Sequence, residues 1–268
     1  GRPGPVWIDI PMDVQGAQCF DIESELRGAK RPLILAGNGI NCAQARDEFV
    51  DFVQRTNIPV VTSYNAVDLF PSVYSNFVGR VGVKGTRAGN FAMQNCDLLL
   101  VIGCRLSVPV TGYNYTTFAR EAKVIVVDID KDEHSKETVK IDRFIHRDAK
   151  DFLNINVFDR EKTDWNKTCQ RWKDQWPVCP DTNPTEKVDL YYFMKCLNDL
   201  KRNDDVVISD AGSAFYVCAQ ATDIQAEQRF ITSSSQAEMG FTIPACIGAA
   251  FAKGGDVIGV TGDGSFMM

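Results

Sequence analysis

The sequence predicts an α/β protein built from two doubly wound parallel-sheet domains, the second of them incomplete. Three observations lead there. Short apolar runs rich in Val, Ile and Leu alternate with helical patterns along most of the 268 residues, the pattern of β-α-β units whose strands are buried on both faces. Two of these runs end at once in glycine turns, Gly37-Asn38-Gly39 and Gly262-Asp263-Gly264-Ser265, the place where open α/β sheets meet ligands. A Pro-rich polar stretch, Pro177 to Lys187, separates two such series as a linker does.

Residues 1–15 hold turn residues and then the alternating Val6-Trp7-Ile8-Asp9-Ile10, which reads as a strand followed by linker. Residues 16–157 are expected to form a Rossmann-like central domain. Its first unit is Arg31 to Gly39, an apolar strand into Gly37-Asn38-Gly39, followed by a helix from about Cys42 to Arg55. Such a turn has the glycines to admit a nucleotide phosphate at the helix N-terminus. Cys42 stands where G-x-G-x-x-G needs its third glycine, so the dinucleotide fingerprint is incomplete. Ile58 to Val61 reads as a strand, Asp68 to Pro71 as loop, Arg87 to Cys96 as helix, and Asp97 to Gly103 as a buried strand. Lys123 to Asp130 is a further strand ending in acidic residues, and Arg143 to Asp148 a short last one.

Residues 158–186 read as a helix and linker. Trp165, Trp172 and Trp176 are spaced for one helix face, predicting a helix laid against the sheet. Residues 187–268 begin with a helix at Val188 to Leu200 and a strand at Asp205 to Ser209, and end on the strand and loop Asp256 to Met268.

Composition narrows the function classes. Hydrophobic residues at 44% and charged ones at 24% suit a globular protein with proper cores. A net charge of −6 without basic clusters argues against nucleic acid as partner. No run approaches a membrane span, and no signal-peptide layout opens the chain. Nine cysteines, odd in number and without Cys-x-x-Cys, read as reduced core thiols of a cytoplasmic protein, not a disulfide frame or zinc site. His134 and His146, the two histidines, lie in polar stretches and are expected at the surface, away from metal chemistry.

Asp263 is a hard oxygen ligand suited to Mg²⁺, and Gly264 removes the Cβ that would keep a phosphate from the backbone amides. One Asp does not hold Mg²⁺ alone; it must share the octahedron with diphosphate oxygens, waters and further groups. The bland alternative is an Asp-Gly turn after a strand.

Two further segments join this loop. Val206-Val-Ile-Ser-Asp-Ala-Gly-Ser-Ala214 and Gln236-Ala-Glu-Met-Gly-Phe-Thr-Ile-Pro-Ala-Cys-Ile-Gly-Ala-Ala-Phe-Ala252 precede it in that order. Together the three resemble the diphosphate-binding domain of thiamine-diphosphate enzymes of the acetolactate synthase and pyruvate oxidase type. Upstream, Gly79 to Asn90, Asp97 to Arg105 and Val127 to Glu133 resemble the central domain of that superfamily. The resemblance covers nearly the whole chain.

It implies thiamine diphosphate and Mg²⁺ as cofactors, with Asp263 as metal ligand. Gly212, Ser213, Gly262, Gly264 and Ser265 would line the diphosphate. Met239 would be the apolar wedge beneath the thiazolium that keeps the cofactor bent, and the Ala237 carbonyl would accept the pyrimidine amino group. The family's catalytic glutamate lies in the preceding pyrimidine-binding domain, so no catalytic residue is expected within these 268 residues. The chain is accordingly expected to be a fragment, inactive by itself: residues 1–15 would close the preceding domain, and the remaining Mg²⁺ ligands would follow Met268. Glu238, beside Met239, would face substrate or an interface.

The central domain of such enzymes carries FAD, ADP or nothing. Here Lys84 stands where the FAD-binding synthases usually have His, and Ser107-Val108-Pro109 replaces their acidic segment, departures that weigh against FAD. The implied activity is decarboxylation of a 2-oxo acid such as pyruvate, with transfer of the two-carbon unit to a carbonyl acceptor. The implied assembly is a homodimer or homotetramer. Two other classes compete: a nicotinamide or flavin oxidoreductase on the central domain, and a non-catalytic binding module with this fold. The first leaves the Met239 to Ser265 constellation unexplained.

Overall fold

The computed structural model describes residues 22–155, 159–225, 227–233 and 236–268. The strand expected near the N-terminus lies outside the described residues.

Helix α1 (Ile22–Gly28) leads into β1 (Pro32–Ala36), the short turn α2 (Gly39–Cys42), α3 (Arg46–Thr56), β2 (Val60–Thr62) and β3 (Phe77–Arg80). Then follow α4 (Arg87–Asn95), β4 (Leu98–Ile102), α5 (Val108–Thr111), β5 (Lys123–Asp128), β6 (Arg143–His146) and α6 (Ala149–Leu153). The strands form one parallel sheet in the order β3-β2-β1-β4-β5-β6. The winding reverses between β1 and β4, which leaves a crevice beyond their carboxyl ends.

The unbroken apolar runs of β1 and β4 are explained by burial on both faces. Alternate residues serve opposite layers. Ile34, Leu100 and Ile125 pack with Phe49 and Phe52 of α3 and Phe152 of α6. Leu33, Leu99 and Val124 pack with Ala92 and Met93 of α4 and with Trp165. Trp165 belongs to α7 (Asp164–Gln175), and its Nε1 donates to the Pro32 carbonyl at 2.9 Å. Trp172 stands edge-on to Trp165 at 5.7 Å, and Phe91 of α4 meets Trp176 at 5.0 Å. The tryptophan stripe is thus packing, as its spacing predicts.

After the linker come α8 (Leu190–Leu200), β7 (Val206–Ser209), α9 (Gly212–Ala221) and β8 (Arg229–Thr232). The chain continues through α10 (Thr242–Lys253), β9 (Ile258–Val260) and the single turn α11 (Asp263–Phe266). A second parallel sheet, β8-β7-β9, results. Its core of Val207, Met194, Phe215, Cys218 and Phe230 continues into Tyr64 and Val67 of the first layer.

Three expectations change. The helix expected from Cys42 to Arg55 is interrupted: α2 is one turn, Gln44 takes a left-handed φ of 52°, and α3 starts at Arg46. His134 is not on the surface. Its side chain is 3% exposed, 3.3 Å from the Asp128 carboxylate, with its ring centroid 5.4 Å from that of Phe144 and tilted to it. A polar neighbourhood in sequence does not report a ring folded back onto a strand. Finally, β3, β8 and α9 arise where no element was expected.

The eight described cysteines are free thiols, and Cys96, Cys104, Cys169 and Cys218 are buried. Burial pushes the Cys104 thiol up to about 11, so it is inert at neutral pH.

Candidate cofactor site

The site is built where β7 and β9 end side by side, with Ser209 opposite Val260. The residue after β7 is Asp210, fully buried. Its carboxylate accepts from the Ala211 amide at 2.7 Å and from the Thr242 amide at 3.2 Å. The Thr261 hydroxyl is 3.3 Å away. One side chain therefore ties three segments: its own loop, the start of α10, and the loop after β9. Burial opposes ionisation of Asp210, but the bonds from Ala211, Thr242 and Ser265 prevail and hold it below the usual carboxylate range.

That arrangement presents two bare backbone turns. Gly212 has a φ of 63° and opens α9, with nothing within 4 Å of where a Cβ would stand. Gly262 is equally open. Together with the exposed Ser213 they offer main chain to a ligand without side-chain obstruction. Asp263 is exposed, and its Oδ1 accepts from the Gly264 amide at 2.8 Å.

Gly264 has a different reason to be glycine. A Cβ there would meet the Met239 methyl at 2.8 Å. Met239 is 47% exposed, unusual for a residue whose default place is the core. Ala237 takes a left-handed φ of 57°, a conformation non-glycine residues rarely adopt. Ser265 is buried and supports Asp210, facing inward from the loop.

The structure thus gathers Met239 with Gly264 and places Gly212, Ser213, Gly262 and Asp263 on the exposed loops at the strand ends. Asp210 is a further residue of this arrangement, and its sequence signal is its place at the start of the Asp-x-Gly after β7. Among the described residues no group of three or more His, Cys, Asp or Glu is placed to hold a metal. Metal coordination by these residues would rest on Asp263 completed by ligand oxygens.

A second cleft, of about 640 Å³, opens at the switch point of the first sheet between Gly39, Gly103, Arg105 and Asp128. Its glycines serve loop packing. The Gly37 and Gly39 amides donate to the Ile102 and Gly103 carbonyls at 2.9 Å, and a Cβ on Gly37 would fall 2.1 Å from the Gly103 oxygen. Lys84 does not line this cleft; its Nζ lies 5.0 Å from the Tyr216 ring of α9. A third cleft, of about 680 Å³, runs from Asn38 and Asn65 to Arg229, Glu238 and Met239, so it joins the two layers.

Charged contacts hold those layers together. Asp68, in the loop after β2, lies 2.6 Å from Arg229 Nε and accepts from the Phe230 amide at 3.2 Å. Among the described residues no helix is long and apolar enough to cross a membrane.

Comparison with known proteins bears on both layers. The family described as thiamine pyrophosphate enzyme, central domain, matches residues 21–155. The thiamine pyrophosphate enzyme C-terminal TPP-binding domain matches residues 210–268. Acetolactate synthase isozyme 2 large subunit of Escherichia coli (strain K12) is 33% identical over the whole chain, which covers 52% of that relative. A probable acetolactate synthase large subunit of Methanocaldococcus jannaschii is 33% identical with the same coverage. Acetolactate synthase 1, chloroplastic, of Zea mays is 29% identical, with 47% of its length covered. The chain spans about half the length of the curated relatives it matches.

Proposed function

The chain belongs to the thiamine pyrophosphate enzyme family, and from that premise we propose that it supplies the diphosphate half of an acetolactate synthase-like active site. The single observation that carries this reading is the meeting of Met239 with Gly264 beside the open Gly212 and Gly262 turns. A Met held half-exposed against a glycine loop has no packing reason to be there.

In this reading the Gly212, Ser213, Gly262 and Gly264 main chain receives the diphosphate. Asp263 contributes the carboxylate that holds Mg²⁺, because a hard divalent cation prefers anionic oxygen. Met239 supports the cofactor from below, and the Ala237 carbonyl, presented by its left-handed backbone, accepts from the pyrimidine. Ser265 acts at one remove, through Asp210. When bound, thiamine diphosphate supplies the carbanion chemistry that decarboxylates a 2-oxo acid; the protein binds, orients and excludes water. The substrate proposed is pyruvate, and the reaction is transfer of its two-carbon unit to a carbonyl acceptor. The catalytic glutamate and the other Mg²⁺ ligands are assigned outside these residues, so the activity is that of the whole protein, as a homodimer or homotetramer in the cytoplasm.

No flavin is assigned to the switch-point cleft. Its Gly37 and Gly39 amides are already bonded to the carbonyls of Ile102, the last residue of β4, and of Gly103 just after it, and Lys84 is directed to Tyr216. The central layer is read as a scaffold that carries the cofactor layer.

The test is acetolactate formation from pyruvate by the protein expressed from its complete coding sequence, with thiamine diphosphate and Mg²⁺ each titrated. Dependence on both supports the proposal. Activity indifferent to either contradicts it.

A further inference from the structure

Helix α9 connects two places. Its first residues, Gly212 and Ser213, stand exposed at the candidate cofactor site. Its last turn lies about 15 Å away, by the rise of a ten-residue helix, and is gripped by the central layer. Arg80, the final residue of β3, donates from Nη1 to the Gln220 carbonyl at 3.0 Å and from Nη2 to the Thr222 carbonyl at 2.6 Å.

Arg80 is 3% exposed; among the described residues no carboxylate pairs with it within 4.0 Å, Asp223 is the carboxylate whose field favours its charge, and its Nε has no partner. A buried guanidinium with no carboxylate in contact needs other polar partners. The end of α9 provides them: the last carbonyls of a helix lack intrahelical donors and carry the negative end of its dipole. The Phe77 ring lies beneath the guanidinium at 5.2 Å. Burial lowers the Arg80 pKa to about 10, which keeps it charged at neutral pH.

The grip has further points. Gln220 donates from Nε2 to the Lys84 and Gly85 carbonyls and accepts from the Tyr191 hydroxyl at 2.5 Å. The loop that presents these groups is itself stiff. Thr86 N–H donates back to the Arg80 carbonyl at 2.8 Å, and Asn90 bonds both the amide and the carbonyl of Gly82. At Gly82 a φ of 112° and a Pro109 oxygen 2.0 Å from any Cβ leave no room for a side chain.

We propose that Arg80 is a positioning residue for the cofactor site: it fixes α9 from its C-terminal end and so sets where Gly212 and Ser213 stand. It touches neither cofactor nor substrate. The effect on cofactor affinity rests on the proposed function; the mechanical link does not, so the two can fail separately.

The experiment compares Arg80→Met and Arg80→Lys with the parent, each expressed from the complete coding sequence. Two quantities are read: hydrogen exchange of the Phe215 to Cys218 amides, in the first bonded turn of α9, and the apparent affinity for thiamine diphosphate with Mg²⁺. For Arg80→Met, exchange in that turn should rise about tenfold and cofactor affinity fall about tenfold. Activity at saturating cofactor should remain within about twofold of the parent, because a positioning loss is recovered by mass action. Arg80→Lys, which retains the charge at the helix end, should recover part of both. Parental exchange in Arg80→Met overturns the proposal. So does loss of protection spread evenly over α8 and β7, which would mark Arg80 as a general stabiliser. If Arg80→Met does not fold, Gln220→Ala should shift exchange in the same direction by a smaller factor, and no shift there overturns the idea. A parent that binds no thiamine diphosphate while Arg80→Met still loosens the first turn supports the link and refutes the cofactor reading.

Discussion

The Met239 methyl occupies the space a side chain on Gly264 would require, at 2.8 Å. These residues come from separate motifs and meet only because α10 returns the chain to β7 before β9 forms. Gly264→Ala must therefore displace Met239, whose unbranched side chain yields at little cost, so stability should change by less than about 1 kcal/mol. Cofactor-dependent activity should nevertheless fall. Met239→Ala should preserve Mg²⁺ dependence and lose roughly 100-fold in rate, since the orientation it enforces is gone. Thermal melts beside steady-state kinetics of the two variants check both halves.

Asp210 is the residue on which the loops converge. Asp210→Ala leaves the Ala211 and Thr242 amides without their acceptor, for an expected loss of about 1–3 kcal/mol in chemical denaturation. Asp210→Asn should lose less, because its amide oxygen still accepts.

The same group gives a pH dependence. Its folded pKa is depressed below the unfolded value of about 3.9. Its contribution is therefore complete above that value and lost as pH falls through the lower, folded one. Acid unfolding of the parent should steepen below about pH 4, and that component should be absent from Asp210→Asn. An identical acid limb in both proteins would remove Asp210 from the account.

Between the layers, Asp68→Ala should cost about 1–3 kcal/mol, because the Phe230 amide on edge strand β8 loses its acceptor. Arg229→Ala should cost less, its side chain being more than half exposed and screened. A double-mutant cycle measures the coupling, expected to be favourable and smaller than the loss from Asp68→Ala alone.

Much of this was legible in the sequence. The runs at β1 and β4, and the Val124–Val127 middle of β5, are apolar at every step because helices cover both faces, and the tryptophan spacing reports one packed face of α7. The turns at Gly212 and at Gly262-Asp263 were legible as glycine turns that directly follow apolar strands, and the structure places them side by side at the ends of β7 and β9. Other features left no local trace. β3 is four residues long with Gly79 inside it, and β8 is equally short, so neither shows a strand period. α9 is apolar on most sides because it lies between β7, α8 and the central layer, so its amphipathic pattern is weak. Arg80 and Asp68 reach partners more than 130 residues away, and a pairing of that separation is set by the docking of two sheets.

The most direct test of the central claim is thiamine diphosphate binding as a function of Mg²⁺ concentration, for Asp263→Asn beside the parent, each expressed from its complete coding sequence. The substitution conserves size and removes the anionic oxygen that a hard cation requires. The predicted result is weaker binding at low Mg²⁺, partly recovered at high Mg²⁺ and cofactor, with an unchanged fold by circular dichroism. Identical Mg²⁺ dependence in variant and parent would contradict the account and leave Asp263 as a residue of a turn.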